Sequence, residues 1–289
     1  MAIAGSGISY KVWATPLPRA ELLLIHGLGA NSLWWESFAS ESLKNGLSSY
    51  AIDLREHQSF SEFFNSINNL LVKIREDSPG KKIFAVGESM GALVILSMVR
   101  HCPSINSGLP RAFVEGCSPS TLSKVEGSMA FKNRALFDGL VCISPAFDSK
   151  APLKLKDYFR IFLPLFYDRN KRCSLPVSSD MCTRDPAYLK IIEATYDKDV
   201  MSTSQVLFDI FIAQLRMRLS RMRIDSPVLF LIAGHDLLVY SEASVKVFGR
   251  LKCLDKTLIE YPGMYHALSI ELGKEKVFQD IWSWIDKRV

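Results

Sequence analysis

Between the apolar run Lys82-Ile83-Phe84-Ala85-Val86 and a helix-forming stretch from Ala92 to His101 stands the pentapeptide Gly87-Glu88-Ser89-Met90-Gly91. Strand, sharp turn and helix in that order force the central serine into strained backbone geometry. The glycines on either side leave room for the neighbouring helix and strand to approach. Such an elbow requires its strand to lie inside a sheet and its helix to lie on the sheet face, with the Ser89 hydroxyl presented above the sheet as a nucleophile. The pattern G-x-S-x-G alone also matches ordinary turns, so its weight comes from its flanks and from two segments further along the chain.

Short apolar strands alternate with amphipathic helices on both sides of this elbow. A short strand is expected around Tyr10 to Ala14, followed by Leu22-Leu23-Leu24-Ile25 ending at His26-Gly27-Leu28-Gly29, a helix from Leu33 to Leu43, the strand Tyr50-Ala51-Ile52-Asp53 and a helix from Phe60 to Arg75. After the elbow come the strands Leu140 to Ile143, Val228 to Ile232 and Thr257 to Glu260, with helices around Ala243 to Leu251 and Lys274 to Asp286. This order predicts an α/β fold with a mostly parallel sheet covered by helices on both faces. Sites in such sheets form at the carboxyl ends of the strands.

Two segments interrupt the alternation. Residues 103–136, rich in serine, glycine and proline, read as a surface insert leaving the end of the sheet opposite the chemistry. Residues 148–225 read as a helical cap inserted between the two parts of the core, 1–147 and 226–289. One apolar helix there carries Tyr158, Phe159, Ile161, Phe162, Leu165 and Phe166; a second carries Val206, Leu207, Phe208, Ile210, Phe211, Leu215 and Leu219. Phe162 and Phe211 are the expected substrate-binding aromatics, although mutual packing would also explain an apolar stripe. The cap holds 14 Lys or Arg against 10 Asp or Glu, so it carries +4 of the chain's net +5, much of it at Arg216, Arg218, Arg221 and Arg223. A basic, apolar cap suits peripheral contact with a lipid surface, and a solvated helix face is the plainer explanation.

Composition narrows the class. Of 289 residues 48% are hydrophobic, enough for a packed core, and no dense Lys/Arg run marks a nucleic-acid groove. The amino-terminal residues lack a basic flank and an apolar h-region, and no apolar window is long enough to cross a membrane, so a cytoplasmic location is expected. Six scattered cysteines without C-x-x-C spacing argue for reduced thiols rather than zinc ligands or disulfides; no metal and no cofactor are expected.

A serine nucleophile needs a base and a group that orients the base. His266 follows the last strand and precedes the last helix, and Asp236 in Gly234-His235-Asp236 sits just beyond the preceding strand. Ser, Asp and His then occur in the order of an α/β-hydrolase triad. Each has a plainer alternative: Asp236 as the cap of a helix beginning near Ser241, His266 as a loop histidine. The N–H groups of Leu28 and Met90 are the expected donors to a tetrahedral oxyanion. His26 is expected to organise its own loop, and Glu88 to have a structural or tuning role because neighbours on an elbow point apart.

On His26-Gly27-Leu28-Gly29, Gly87-Glu88-Ser89-Met90-Gly91, Gly234-His235-Asp236-Leu237-Leu238-Val239 and His266-Ala267-Leu268, with a helical cap between, the chain resembles the monoacylglycerol lipase and lysophospholipase-like branch of the α/β-hydrolases. It is similar also to the serine aminopeptidase group. The resemblance spans nearly the whole length and implies Ser89 as nucleophile, Asp236 as orienting acid and His266 as base and acid, acting on a small-molecule ester. The chain departs from the family at Asp53-Leu54-Arg55-Glu56-His57-Gln58, where members carry D-x-x-G-H-G, and its amino terminus reads as short by a strand. Two rival readings are a peptidase, with Glu193 or Asp197 holding a free amine, and a non-catalytic ligand-binding protein of the same fold.

Overall fold

The structure is a computed structural model describing residues 2–3, 8–55, 58–101, 135–151, 154–195 and 200–289. Its main sheet contains β1 (Ala2–Ile3), β2 (Ser9–Trp13), β3 (Ala20–Ile25), β4 (Leu47–Ile52), β5 (Ile83–Glu88), β6 (Gly139–Ile143), β9 (Val228–Ala233) and β10 (Lys256–Tyr261), in the order β1-β2-β4-β3-β5-β6-β9-β10. The six strands from β4 to β10 in that order run parallel, while β2 is antiparallel to β4 and β1 to β2. The pairing of Ala2–Ile3 with β2 supplies the amino-terminal strand that the sequence reading found missing; two residues are too few to leave a periodic signal.

The strand faces explain why the central strands are apolar along most of their length. Leu23, Ile25, Ala85, Leu140, Cys142, Val228 and Phe230 enter one core, beneath α2 (Phe60–Asp77), α3 (Met90–His101) and α7 (Ser241–Arg250). Their alternates Leu22, Leu24, Phe84, Val86, Val141, Ile143, Leu229 and Leu231 enter the other, beneath α1 (Glu36–Lys44) and α8 (Lys274–Asp286). Successive side chains of a strand point to opposite faces, so a sheet covered on both sides has no polar face to spare. The single helix expected over Leu33 to Leu43 is divided: a 3-10 turn, Ser32–Trp35, is capped by the Asn31 side chain and leads into α1. Helix α2 begins with a reciprocal capping box between Ser59 and Glu62.

Between β6 and β9 the chain leaves the sheet. It forms α4 (Leu155–Phe162), a 3-10 turn (Leu163–Phe166), a two-stranded sheet of β7 (Arg172–Leu175) and β8 (Val200–Thr203), α5 (Pro186–Thr195) and α6 (Ser204–Leu219). The first apolar stripe is therefore an eight-residue helix that tightens at Pro164, because proline removes a backbone donor. Strands β7 and β8 and helix α5 were not anticipated. The 103–136 insert lies outside the described residues apart from its last two. Among the described residues no helix is long and apolar enough to cross a membrane.

Candidate active site

Ser89 follows β5 directly and begins the turn into α3, with φ +56°, a left-handed conformation that costs a non-glycine residue. Its N–H donates to the Ile143 carbonyl (2.8 Å) and its carbonyl accepts from Leu93 (3.3 Å) and Ala146 (3.2 Å), so strand, turn and helix jointly hold the strain. The elbow glycines are there for space. A Cβ on Gly87 would lie 2.6 Å from the Gly91 carbonyl carbon, and one on Gly91 would lie 2.2 Å from the Ile25 oxygen.

Asp236 lies on the loop after β9 and His266 on the loop after β10, so both stand at the same carboxyl edge as Ser89. Nδ1 of His266 donates to Oδ2 of Asp236 at 2.7 Å, and both side chains are buried. The other carboxylate oxygen of Asp236 accepts from the N–H groups of Leu238 (2.8 Å) and Val239 (2.9 Å). Asp236 thus turns its own loop and holds a histidine. It does not cap α7, whose N-cap residue is Tyr240. Burial disfavours the charged carboxylate, but the His266 ring, by charge and hydrogen bond, and the two loop N–H groups hold the Asp236 pKa below its ordinary value. Burial likewise opposes an imidazolium at His266, and the Asp236 carboxylate, helped by Glu88, outweighs it, so the ring's pKa is raised.

A cavity of about 330 Å³ opens over this edge. Ser89, His266, Gly27, Leu28 and Met90 line it from the sheet side; Ile161 and Phe162 of α4 and Leu207, Ile210 and Phe211 of α6 line it from the segment above. The rings of Phe162 and Phe211 lie 5.5 Å apart. The structure thus brings all the sequence-selected residues to one cavity, Asp236 standing behind His266 rather than on the wall. Glu193 also lines the cavity; Asp197 lies outside the described residues.

The turn after β3 is set by His26, whose buried Nδ1 donates to the Gly27 carbonyl (2.7 Å) and whose Nε2 accepts from the Leu54 N–H (3.0 Å). Burial lowers its pKa, which keeps the ring neutral and able to accept. Asp53 accepts from the Ser32 N–H at 2.7 Å, so the departing loop keeps its anchor without the family glycines; Glu56 and His57 lie outside the described residues. At Gly27 a Cβ would lie 3.1 Å from the Ser89 Cβ, a tight contact that favours glycine beside the nucleophile. His235 packs its ring on Tyr265, the residue before His266.

Sequence reasoning missed three contributors. Trp34 lines the cavity and packs with Ile192 and Ala267. Lys150 donates to the Asp236 carbonyl at 2.6 Å. Cys182 lines the cavity and its carbonyl accepts from the Ala267 N–H (2.9 Å); burial pushes its thiol up to about 12. None sits in a spacing pattern, and only the fold brings them near Ser89. Among the described residues no group of three or more His, Cys, Asp or Glu side chains could hold a metal ion.

A serine on a strained strand-to-helix turn, above a mostly parallel sheet and beside a buried acid–histidine pair, makes this chain an α/β-hydrolase. The family described as serine aminopeptidase, S33, matches residues 16–109 and 125–273, and the chain belongs to that family. The chain is similar to human monoglyceride lipase, with 24% identity over 98% of this chain and 88% of that protein. Among solved structures it is similar to Paleococcus ferrophilus monoacylglycerol lipase, with TM-score 0.77, 21% identity and coverage of 98% and 99% of the two chains. It is also similar to a soluble variant of Saccharomyces cerevisiae monoglyceride lipase solved with a substrate analogue, with TM-score 0.74, 20% identity and coverage of 98% and 92%.

Proposed function

We propose that the protein is a cofactor-independent serine hydrolase that cleaves carboxylic esters, with Ser89, His266 and Asp236 as its triad. The observation carrying this reading is the buried 2.7 Å His266–Asp236 pair behind the cavity wall that Ser89 and His266 share. With Nδ1–H committed to Asp236, Nε2 is the ring's base. It takes the Ser89 proton as Oγ bonds to the ester carbonyl carbon, and the N–H groups of Leu28 and Met90 stabilise the oxyanion. Collapse of this intermediate breaks the ester bond, and the imidazolium gives its proton to the leaving alcohol. Water then repeats the cycle on the acyl-serine and releases the acid.

The substrate class we favour is a monoacylglycerol or lysophospholipid-like ester. Residues 148–225 serve as the cap and Phe162 and Phe211 as part of the acyl wall. This is supported by the aromatic and aliphatic lining contributed by α4 and α6 and by the lipases to which the chain is similar. The peptidase reading keeps one observation, Glu193 on the cavity wall, where it could meet a free amine. A fluorophosphonate probe tests the nucleophile: labelling at Ser89 that is lost in Ser89→Ala supports the reading, and an unlabelled wild type favours a binding protein. An ester series set against aminoacyl amides then separates lipase from peptidase.

We further infer that the cap rests on an anionic bilayer. Leu155, Phe159, Leu163 and Phe166 are exposed along α4 and the following turn, Phe166 at 87%. Lys154, Lys156, Arg160, Arg169, Lys171 and Arg172 are exposed beside them. Arg160 on α4 pairs with Asp157, as Arg218 does with Asp148 and Arg223 with Asp225, so the lipid-facing reading at α4 is supported by its exposed apolar side chains rather than by a difference in ion pairing. Charge and apolar area together suit a negatively charged interface. Co-sedimentation with phosphatidylglycerol-containing vesicles that weakens with salt, and in Phe159→Ser/Phe166→Ser, supports it; no binding to those vesicles refutes it.

A further inference from the structure

Glu88 immediately precedes the elbow serine and also lines the cavity, and its buried carboxylate holds a residue 181 positions further along the chain. Oε1 accepts the Ser269 N–H at 3.0 Å and Oε2 accepts the Ser269 hydroxyl at 2.7 Å. Ser269 belongs to the tight turn that begins at His266, in which the Leu268 N–H donates to the His266 carbonyl (3.1 Å) and the Ile270 N–H to the Ala267 carbonyl (3.0 Å). The turn is therefore pinned from the cap side, where Ala267 donates to Cys182, and from the sheet side, where Ser269 donates twice to Glu88. Burial raises the Glu88 pKa, and the hydrogen bonds from the Ser269 hydroxyl and N–H oppose that rise; an apolar side chain here would leave both Ser269 donors without these acceptors.

We propose that Glu88 is a positioning residue for His266: by accepting both the N–H and the hydroxyl of Ser269 it fixes the histidine turn relative to Ser89. This rests on the triad reading given above. The groups facing the Glu88 carboxyl are Ser269 and His266 on the loop after β10, Asp236 on the loop after β9, and Cys182 on the segment between β6 and β9. Both Asp236 and Glu88 act on His266 in the same direction. Asp236 fixes the tautomer through Nδ1, and Glu88 fixes the backbone from which the ring hangs. Neither role requires Glu88 to touch substrate.

The test uses the full chain with isotope-labelled histidine, the His266 resonance being identified by its loss in His266→Ala. Glu88→Gln keeps the shape and removes the charge; it should move the His266 titration midpoint down by at least about 0.5 in pH. Ser269→Ala keeps the Glu88 side chain and removes the hydroxyl contact; it should lower kcat about tenfold with KM within twofold. Glu88→Asp, charged but shorter, should restore the midpoint better than the rate. An unchanged midpoint in Glu88→Gln shows His266 uncoupled from Glu88 and overturns the proposal. If Glu88→Gln does not fold, full wild-type kcat in Ser269→Ala overturns the positioning role. The NMR titration reads Glu88 without turnover, whereas failure of fluorophosphonate to label Ser89 would count against the triad reading, so the two claims fail separately.

Discussion

The backbone carbonyl of Ile25 occupies the space in which residue 91 would carry a side chain: a Cβ on Gly91 would lie 2.2 Å from that oxygen. The end of β3 and the start of α3 are thereby closed against each other, and the turn carrying Ser89 has no room to relax. Gly91→Ala should cost about 3 kcal/mol of stability or prevent folding, the upper range for overpacking a rigid site. Ser89→Gly, which relieves a left-handed serine, should raise stability by about 1 kcal/mol while abolishing turnover. Denaturant melts of both variants check this, and a well-folded Gly91→Ala of wild-type stability would contradict the close packing.

Ser89→Ala and His266→Ala are each expected to lower ester turnover by about a thousandfold or more with the fold retained, because the triad acts as a unit. Steady-state kinetics with circular dichroism as the folding control decides it. Near-normal activity in either variant would place the chemistry elsewhere.

On the proposed triad the base is neutral His266, whose pKa is raised because the Asp236 carboxylate outweighs burial. The acidic limb of kcat/KM should therefore lie above the ordinary histidine value, with activity lost as pH falls through it. In Asp236→Asn the burial penalty persists without the compensating charge, so the limb should move to lower pH while the maximal rate falls. A limb that stays in place would mean that another group orients the base.

Glu21 lies buried on β3; Ser78 donates to Oε1 at 2.5 Å, and Oε2 has no hydrogen-bond partner among the described residues. Burial raises its pKa, the Ser78 bond opposing and Asp77 reinforcing. A folded-state pKa above the unfolded value means a contribution that is whole below the unfolded value and lost as pH rises through the folded one. Glu21→Gln should accordingly raise Tm relative to wild type at pH 8, with the advantage shrinking towards pH 4. Thermal melts at pH 4, 6 and 8 test the sign.

Each methylene buried in the cavity contributes about 0.8 kcal/mol, or about fourfold in affinity, so acyl preference should climb with chain length until the roughly 330 Å³ cavity is full. Phe162→Ala or Phe211→Ala should shift or flatten that optimum and leave a minimal acetate ester hydrolysed. Equal loss on every ester would assign both rings to structure alone.

The sequence by itself determined the elements whose patterns are local. The elbow strand and helix, the alternation of apolar strands with helices and the loop positions of Asp236 and His266 all follow from runs of a few residues, because covered parallel strands must be apolar on both faces. Helix α8 was legible from Lys274 to Asp286, its observed bounds. What lacks a local period was not legible: two-residue β1, the β7–β8 pair, and the break of the first cap helix at Pro164. Only the tertiary structure decided that Glu88 grips Ser269, that Cys182 holds Ala267, and that Arg218 is paired with Asp148. These are contacts between residues 70 or more positions apart. Hydrogen bonding and charge act through distance in space, and a one-dimensional pattern does not carry that distance until the sheet has set it.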